Sequence, residues 1–317
     1  MTRFLAFIPI AAVAAAAAAP SAEHPLPPIA KGVKIGGIAV GGLNAEAARV
    51  HIQRVWGRQA LFVFGKESWK AGPKTLGASA GVGRAVTRAL RARPGKRVPL
   101  RVRFDRKRLD GYIARLDSHL SRPAENATLV GLSNLRPVIS PGRSGLKIER
   151  AKMAARIIRT VRTTHRVPIR LAVEHVAPSV TPENFGPVIV VETASNRLLF
   201  YEGPTLDRTF TVATGQSAYP TPSGQWSIVQ MQRDPWWIPP PDAPWAQGAK
   251  PIPPGPGNPL GTRWMGLSAP GVGLHGTPDA ASLGYSQSHG CIRMAIPDAE
   301  WVFEQVHVGT PVFTVAA

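Results

Sequence analysis

The 317-residue chain holds one cysteine, Cys291, in the run Ser288-His289-Gly290-Cys291-Ile292-Arg293-Met294. Sixteen residues upstream, His275 sits in Gly273-Leu274-His275-Gly276-Thr277. A thiol is a strong nucleophile only as thiolate, and a neighbouring histidine or cation lowers its pKa. A single cysteine with histidines elsewhere in the chain is therefore a candidate for nucleophilic acyl chemistry. Two other readings stay open on the residues alone. Cys291 is a buried structural thiol with locally satisfied histidines, or His275, His289 and Cys291 bind zinc. No acidic residue or further cysteine recurs at helical ligand spacing, which tells against zinc.

These residues need elements to place them. Gly273–Thr277 reads as a strand end reaching a glycine turn. Cys291 lies just before a helix expected over Pro297–Val306, where Pro297 suits the first turn and Asp298 and Glu300 favour the positive end of the dipole. Val188–Val191, Arg197–Tyr201, Thr209–Ala213 and Gln225–Val229 read as short strands at close spacing, which indicates a mainly-β sandwich or barrel over residues 187–317. Residues 234–262 carry Trp236, Trp237 and Trp245 among many prolines and glycines. A segment so long without periodicity is either a functional lid or rim, or an irregular packed loop.

The first half differs in character. Residues 1–22 combine a cationic start with an alanine-rich apolar run and read as an export signal, cleaved or retained as an anchor. Residues 23–31 are a proline-rich linker. Residues 32–181 read as an α+β domain: a strand over Val33–Leu43 ending at a glycine pair, and a helix capped by Asn44. Further on come a strand over Val98–Phe104, a helix over Asp105–Leu120, a strand over Leu135–Ile139, a helix over Glu149–Thr164 and a strand over Val167–Val176. Residues 31–180 hold 31 Lys and Arg against 8 Asp and Glu, whereas residues 181–317 hold 6 against 10. An exported basic half points to anionic wall polymers or a membrane surface rather than nucleic acid, or to a solvated basic face with no single partner. An exported protein also keeps few unpaired cysteines, which adds weight to Cys291.

H-G-T at 275–277 followed by S-H-G-C-I-R-M at 288–294 resembles the YkuD-type L,D-transpeptidase catalytic domain. I-V-V-E at 189–192, R-L-L-F-Y at 197–201, F-T-V-A-T-G at 210–215, T-P-S-G at 221–224 and G-T-P-V at 309–312 agree in order. Residues 32–181 resemble the peptidoglycan-binding module found ahead of such domains and in VanW-like proteins, through I-A-V-G-G-L-N-A-E-A-A at 38–48 and V-A-P-S-V-T at 176–181. The resemblance implies that Cys291 attacks the carbonyl of the third residue of a peptidoglycan stem peptide, a diaminopimelate or lysine centre. D-Ala leaves, and an amine of a neighbouring stem resolves the thioester. It implies that His275 is the base and acid, oriented by the Gly276 carbonyl rather than by a carboxylate. Gly290 and the N–H groups around Cys291 are then expected to line an oxyanion hole. Ser288 and His289 are expected to shape the pocket. Arg293 either pairs with a substrate carboxylate or holds the loop. Tyr219, Trp236 and Trp237 are expected to flank the cleft. No metal or cofactor is implied. Hydrolysis of the same thioester, as an L,D-carboxypeptidase, and wall binding with a vestigial catalytic domain are the competing readings.

Overall fold

A computed structural model describes residues 27–316. The export signal and the start of the linker lie outside the described residues. The described chain forms two compact units, residues 27–119 with 148–172, and residues 120–147 with 173–316. No helix among the described residues is long and apolar enough to cross a membrane.

The first unit contains helices α1 (Ala45–Trp56), α2 (Val82–Leu90), α3 (Arg106–Leu120) and α4 (Arg150–Val161) beside small sheets. Asn44 caps α1 as expected, its side-chain oxygen accepting from the Ala47 N–H at 2.8 Å. The strand expected over Val33–Leu43 is broken. Gly36 and Gly37 take positive φ values of 56° and 87° and fold Lys34–Ile35 back on Ile38–Ala39. Two further expected strands are interrupted: Arg97–Val98 is separated from Val102–Phe104, and Ile169–Arg170 from Val173–Val176. Pro99 lies in the first gap and lacks the N–H a continuous ladder needs.

The second unit is mainly β. Its strands include β1 (Thr128–Ser133), β2 (Arg136–Ser140), β3 (Pro187–Glu192), β4 (Arg197–Glu202), β5 (Thr205–Thr211), β6 (Thr214–Gly215), β7 (Gly224–Arg233), β8 (Arg263–Leu267), β9 (Gly273–Thr277), β10 (Ser286–Ser288), β11 (Ile292–Ala295) and β12 (Pro311–Val315), with helix α5 (Ile296–Gln305) before the last. Eight of them form one sheet in the order β5-β4-β3-β12-β7-β8-β9-β11. The chain leaving β5 then reaches the far edge. Ala213 and Arg293 exchange both backbone hydrogen bonds at 2.9 Å, so the sheet curls into a nearly closed barrel.

The uninterrupted apolar run Val188–Val191 is explained by burial on both faces of β3. Ile189 and Val191 join Phe200, Phe210, Met265, Leu274, Ile292, Met294 and Phe303 in the inner core. Val188 and Val190 face the other way, with Leu199, Tyr201 and Phe313, and Leu129, Leu132 and Leu135 of the β1–β2 hairpin pack over them. Helix α5 closes the inner core, where the Trp301 ring meets Phe200 edge-on at 5.0 Å.

Candidate active site

β9 and β11 run parallel, with Leu274 beside Ile292 and His275 beside Arg293. Side chains alternate between faces along a strand. Leu274, Ile292 and Met294 enter the inner core. Gly273, His275 and Arg293 therefore share the opposite face, and extending the register by one residue sets Cys291 beside Gly273. That face opens into a cleft of about 740 Å³ whose lining includes His275, Ser288, His289, Cys291 and Arg293, with Trp236, Trp237, Trp245 and Trp264 as aromatic walls. Of the expected site residues, Gly276, Gly290 and Tyr219 do not line it. Tyr219 instead packs at 5.2 Å on the His289 ring, whose other contact is Trp245, stacked at 4.1 Å.

His275 is buried, and its Nδ1 lies 2.7 Å from the Gly276 carbonyl. A carbonyl only accepts, so Nδ1 carries the proton in the neutral ring and Nε2 keeps its lone pair. Burial lowers the pKa of His275 from 6.5 to about 4, and the charge of Arg293 adds to this, while backbone hydrogen bonds at Gly276 and Pro259 oppose it. Burial also pushes the Cys291 thiol up, against the hydrogen bond from the Gly273 backbone and the Arg293 charge. Both directions favour a neutral thiol beside a neutral imidazole. His289 is lowered as well, by burial and then by Arg293. The Arg293 guanidinium has a loose partner in Asp279, at 3.8 Å.

The turn holding Cys291 is fastened by hydroxyl groups. Ser288 Oγ accepts from the Gly290 N–H at 3.1 Å and donates to the Cys291 carbonyl at 2.5 Å. Thr221 Oγ1 donates to the Gly290 carbonyl at 2.9 Å and accepts from the Gly215 N–H at 2.8 Å. β6 pairs with β10 alongside, and the Gln216 N–H reaches the Ser288 carbonyl. The segments F-T-V-A-T-G and T-P-S-G thus acquire a job: they hold the turn. Gly290 takes φ +110°, a conformation that favours glycine. One expectation changes. The Gly290 N–H, expected with its neighbours to line an oxyanion hole, is taken by Ser288, whereas the Cys291 N–H has no hydrogen-bond partner among the described residues. The helix expected over Pro297–Val306 is α5, which starts at Ile296, and the four residues of β11 separate it from Cys291.

Residues 234–262 are ordered around Asn258, which is buried. Its Nδ2 donates to the carbonyls of Pro235 (2.7 Å), Pro253 (3.2 Å) and Ile252 (3.3 Å), and its Oδ1 accepts from the Leu260 N–H at 2.8 Å. Trp237 and Ile252 pair across the loop, which holds its aromatic side chains over the cleft. Asn258 and Trp264 escaped the sequence reading, because an isolated Asn in a Pro/Gly-rich stretch and a single Trp outside any alternating run carry no pattern. Trp264 is opposite His275 across β8 and β9, and a Cβ on Gly273 would come within 2.4 Å of its ring. For zinc there is no cluster to rest on: among the described residues no three of His, Cys, Asp and Glu are grouped to hold a metal ion.

Comparison with known proteins gives the family. The L,D-transpeptidase catalytic domain, YkuD, matches residues 186–313. A second family, described as "Putative peptidoglycan binding domain", matches residues 74–170. A Bacillus subtilis protein named "Putative L,D-transpeptidase YqjB" is 33% identical over 132 residues, covering 40% of this chain and 69% of that protein. Among solved structures, L,D-transpeptidase 3 from Mycobacterium tuberculosis in complex with a faropenem-derived adduct aligns at 21% identity over 41% of this chain and 60% of that one, with a TM-score of 0.35. The Enterococcus faecium L,D-transpeptidase C442S mutant aligns at 16% identity over 85% of this chain and 99% of that one, with a TM-score of 0.36. The chain belongs to the YkuD-type L,D-transpeptidase family, with a peptidoglycan-binding type of domain ahead of the catalytic one.

Proposed function

We propose that the protein crosslinks peptidoglycan stem peptides through a thioester on Cys291, acting outside the cytoplasm at the cell wall or in the periplasm. The observation that carries this reading is the contact of His275 Nδ1 with the Gly276 carbonyl, which assigns the ring proton to Nδ1 and the lone pair to Nε2, on a sheet whose outward face also carries Cys291. In the first half-reaction Nε2 takes the thiol proton as Sγ bonds to the carbonyl carbon of the third stem residue. The negative charge on the carbonyl oxygen is stabilised by the Cys291 N–H. Collapse breaks the peptide bond, and the D-Ala amine leaves with the proton from His275. In the second half-reaction the side-chain amine of a neighbouring stem attacks the thioester and passes its proton to His275. Collapse forms the new amide, and the thiolate recovers the proton. Water in place of the amine gives the hydrolytic outcome.

The test is incubation of the full chain with disaccharide-tetrapeptide, followed by mass spectrometry. Expected are a crosslinked dimer with loss of one D-Ala and, before resolution, an acyl adduct on Cys291. Tripeptide alone would make the protein a carboxypeptidase. Cys291→Ala removes both products, and its retention of full activity would sink the mechanism. His275→Gln is expected to slow adduct formation by about 10²–10⁴-fold while leaving the thiol in place.

A further inference from the structure

The first unit has a cavity of about 450 Å³ at the C-terminal end of α2, lined by Arg88, Arg91, Arg93, Lys96 and Arg97. No acidic residue occurs between Glu67 and Asp105. Among the described residues none of the five cations forms an ion pair, and the hydrogen bond found for their side chains is from Arg88 Nη2 to the Pro99 carbonyl, at 3.0 Å. Lys34 runs beside Arg97 in register and adds a further positive charge. Cations at a helix C-terminus are favoured by its dipole. That accounts for Arg88 and Arg91, but Arg93, Lys96 and Arg97 follow the helix. Screening at physiological salt acts over about 8 Å, so charges around one small cavity still repel. An anion in the cavity relieves that repulsion.

The chemistry of the wall narrows the anion. Four of the five cations are arginines, whose planar forks match phosphate oxygens in pairs. Ala92, Val98 and Pro99 complete the cavity with apolar surface that suits carbon atoms between charged groups. The site is concave, and none of its lining residues is an exposed large hydrophobic side chain able to enter a bilayer. We propose that this cavity binds a segment of a soluble polyol-phosphate polymer. The phosphodiester oxygens rest on the guanidinium groups, and the polyol carbons lie against the apolar wall. The site is separate from the Cys291 chemistry and stands or falls without it.

The test is calorimetric titration of the full chain with a synthetic glycerol-phosphate hexamer, at one fixed salt concentration. Arg91→Gln/Arg93→Gln removes two charges from the cavity, and both side chains are exposed, so folding is not at stake. Arg159→Gln/Arg162→Gln at the C-terminal end of α4 removes two exposed charges elsewhere in the unit and gives the same net charge. The cavity pair is expected to weaken binding by about tenfold or more, and the α4 pair by less than about threefold. Equal weakening by the two pairs, or no binding by the unaltered chain, overturns the proposal. A hexagalacturonate of equal charge that binds as tightly overturns the phosphate assignment. Phosphatidylglycerol vesicles that depend on the cavity pair while the hexamer does not would make the ligand a membrane and overturn it too. Cys291→Ala binds the hexamer unchanged, so failure of the catalytic reading leaves this result intact.

Discussion

His275 is held neutral by its surroundings rather than by a carboxylate partner. Burial is the largest cause and the Arg293 charge adds to it, against the backbone hydrogen bonds at Gly276 and Pro259, with a net pKa of about 4. A base works only while unprotonated, so the acid limb of kcat/KM for Cys291 acylation is expected near pH 4, well below 6.5. Arg293→Gln removes the repulsion and should move that limb upward, with the size of the move read from the pH profile. A limb that stays in place would show that Arg293 does not act on His275. Folding stability follows the same shift. Between pH 6.5 and about 4 the unfolded chain binds a proton at His275 that the folded chain does not. The contribution of this histidine is thus fully present above 6.5 and is lost as pH falls toward 4.

The loop of residues 234–262 depends on one side chain. Asn258 donates to three carbonyls and accepts from one N–H, all within the loop. Asn258→Ala leaves those groups without their partner, at a cost of about 1–3 kcal/mol where they remain buried. Faster hydrogen exchange at the Trp237 and Ile252 amides is expected, because their pairing relies on the same loop, with little change at the core strand β3. Uniform acceleration across the sheet would mean that Asn258 supports the whole unit instead. Much of the element scale was legible in advance. The apolar run Val188–Val191 announced a strand, and Asn44 announced a helix start. β8 and β11 were not. Arg263–Leu267 mixes Arg, Trp and Gly without alternation, and Ile292–Ala295 runs directly into α5, so its four residues merge with the helical pattern. The H-G-T and S-H-G-C segments pointed to His275 and Cys291, which the fold brings into the lining of one cleft. The role of Thr221 in fastening the Cys291 turn depends on a contact across 69 residues that no local spacing encodes.

At the scale of the whole molecule, the compact units do not follow a single cut in the chain. Residues 120–147 pack with the catalytic sheet, and the β1–β2 hairpin covers Val188, Val190, Leu199, Tyr201 and Phe313. A fragment starting at the boundary read from sequence, 187–317, loses that cover. Each large apolar side chain returned to water costs about 1.5–3 kcal/mol. The fragment should therefore melt at a lower temperature than the catalytic unit in the full chain and bind a hydrophobic dye when folded. A fragment with unchanged melting and no dye binding would show that the hairpin is a passive cover. The charge asymmetry belongs to this scale as well: five of the 31 Lys and Arg of residues 31–180 line the α2 cavity and the rest are spread along the segment, while residues 181–317 are mildly acidic.

The upward push on the Cys291 thiol has a consequence for its resistance to oxidation. Peroxide oxidises thiolates far faster than thiols, and the products beyond sulfenic acid are not recovered without dedicated repair. A thiol kept above its ordinary pKa by burial offers little thiolate to oxidants. With no second cysteine in the chain to rescue a sulfenic acid as a disulfide, that protection is the one the sequence has.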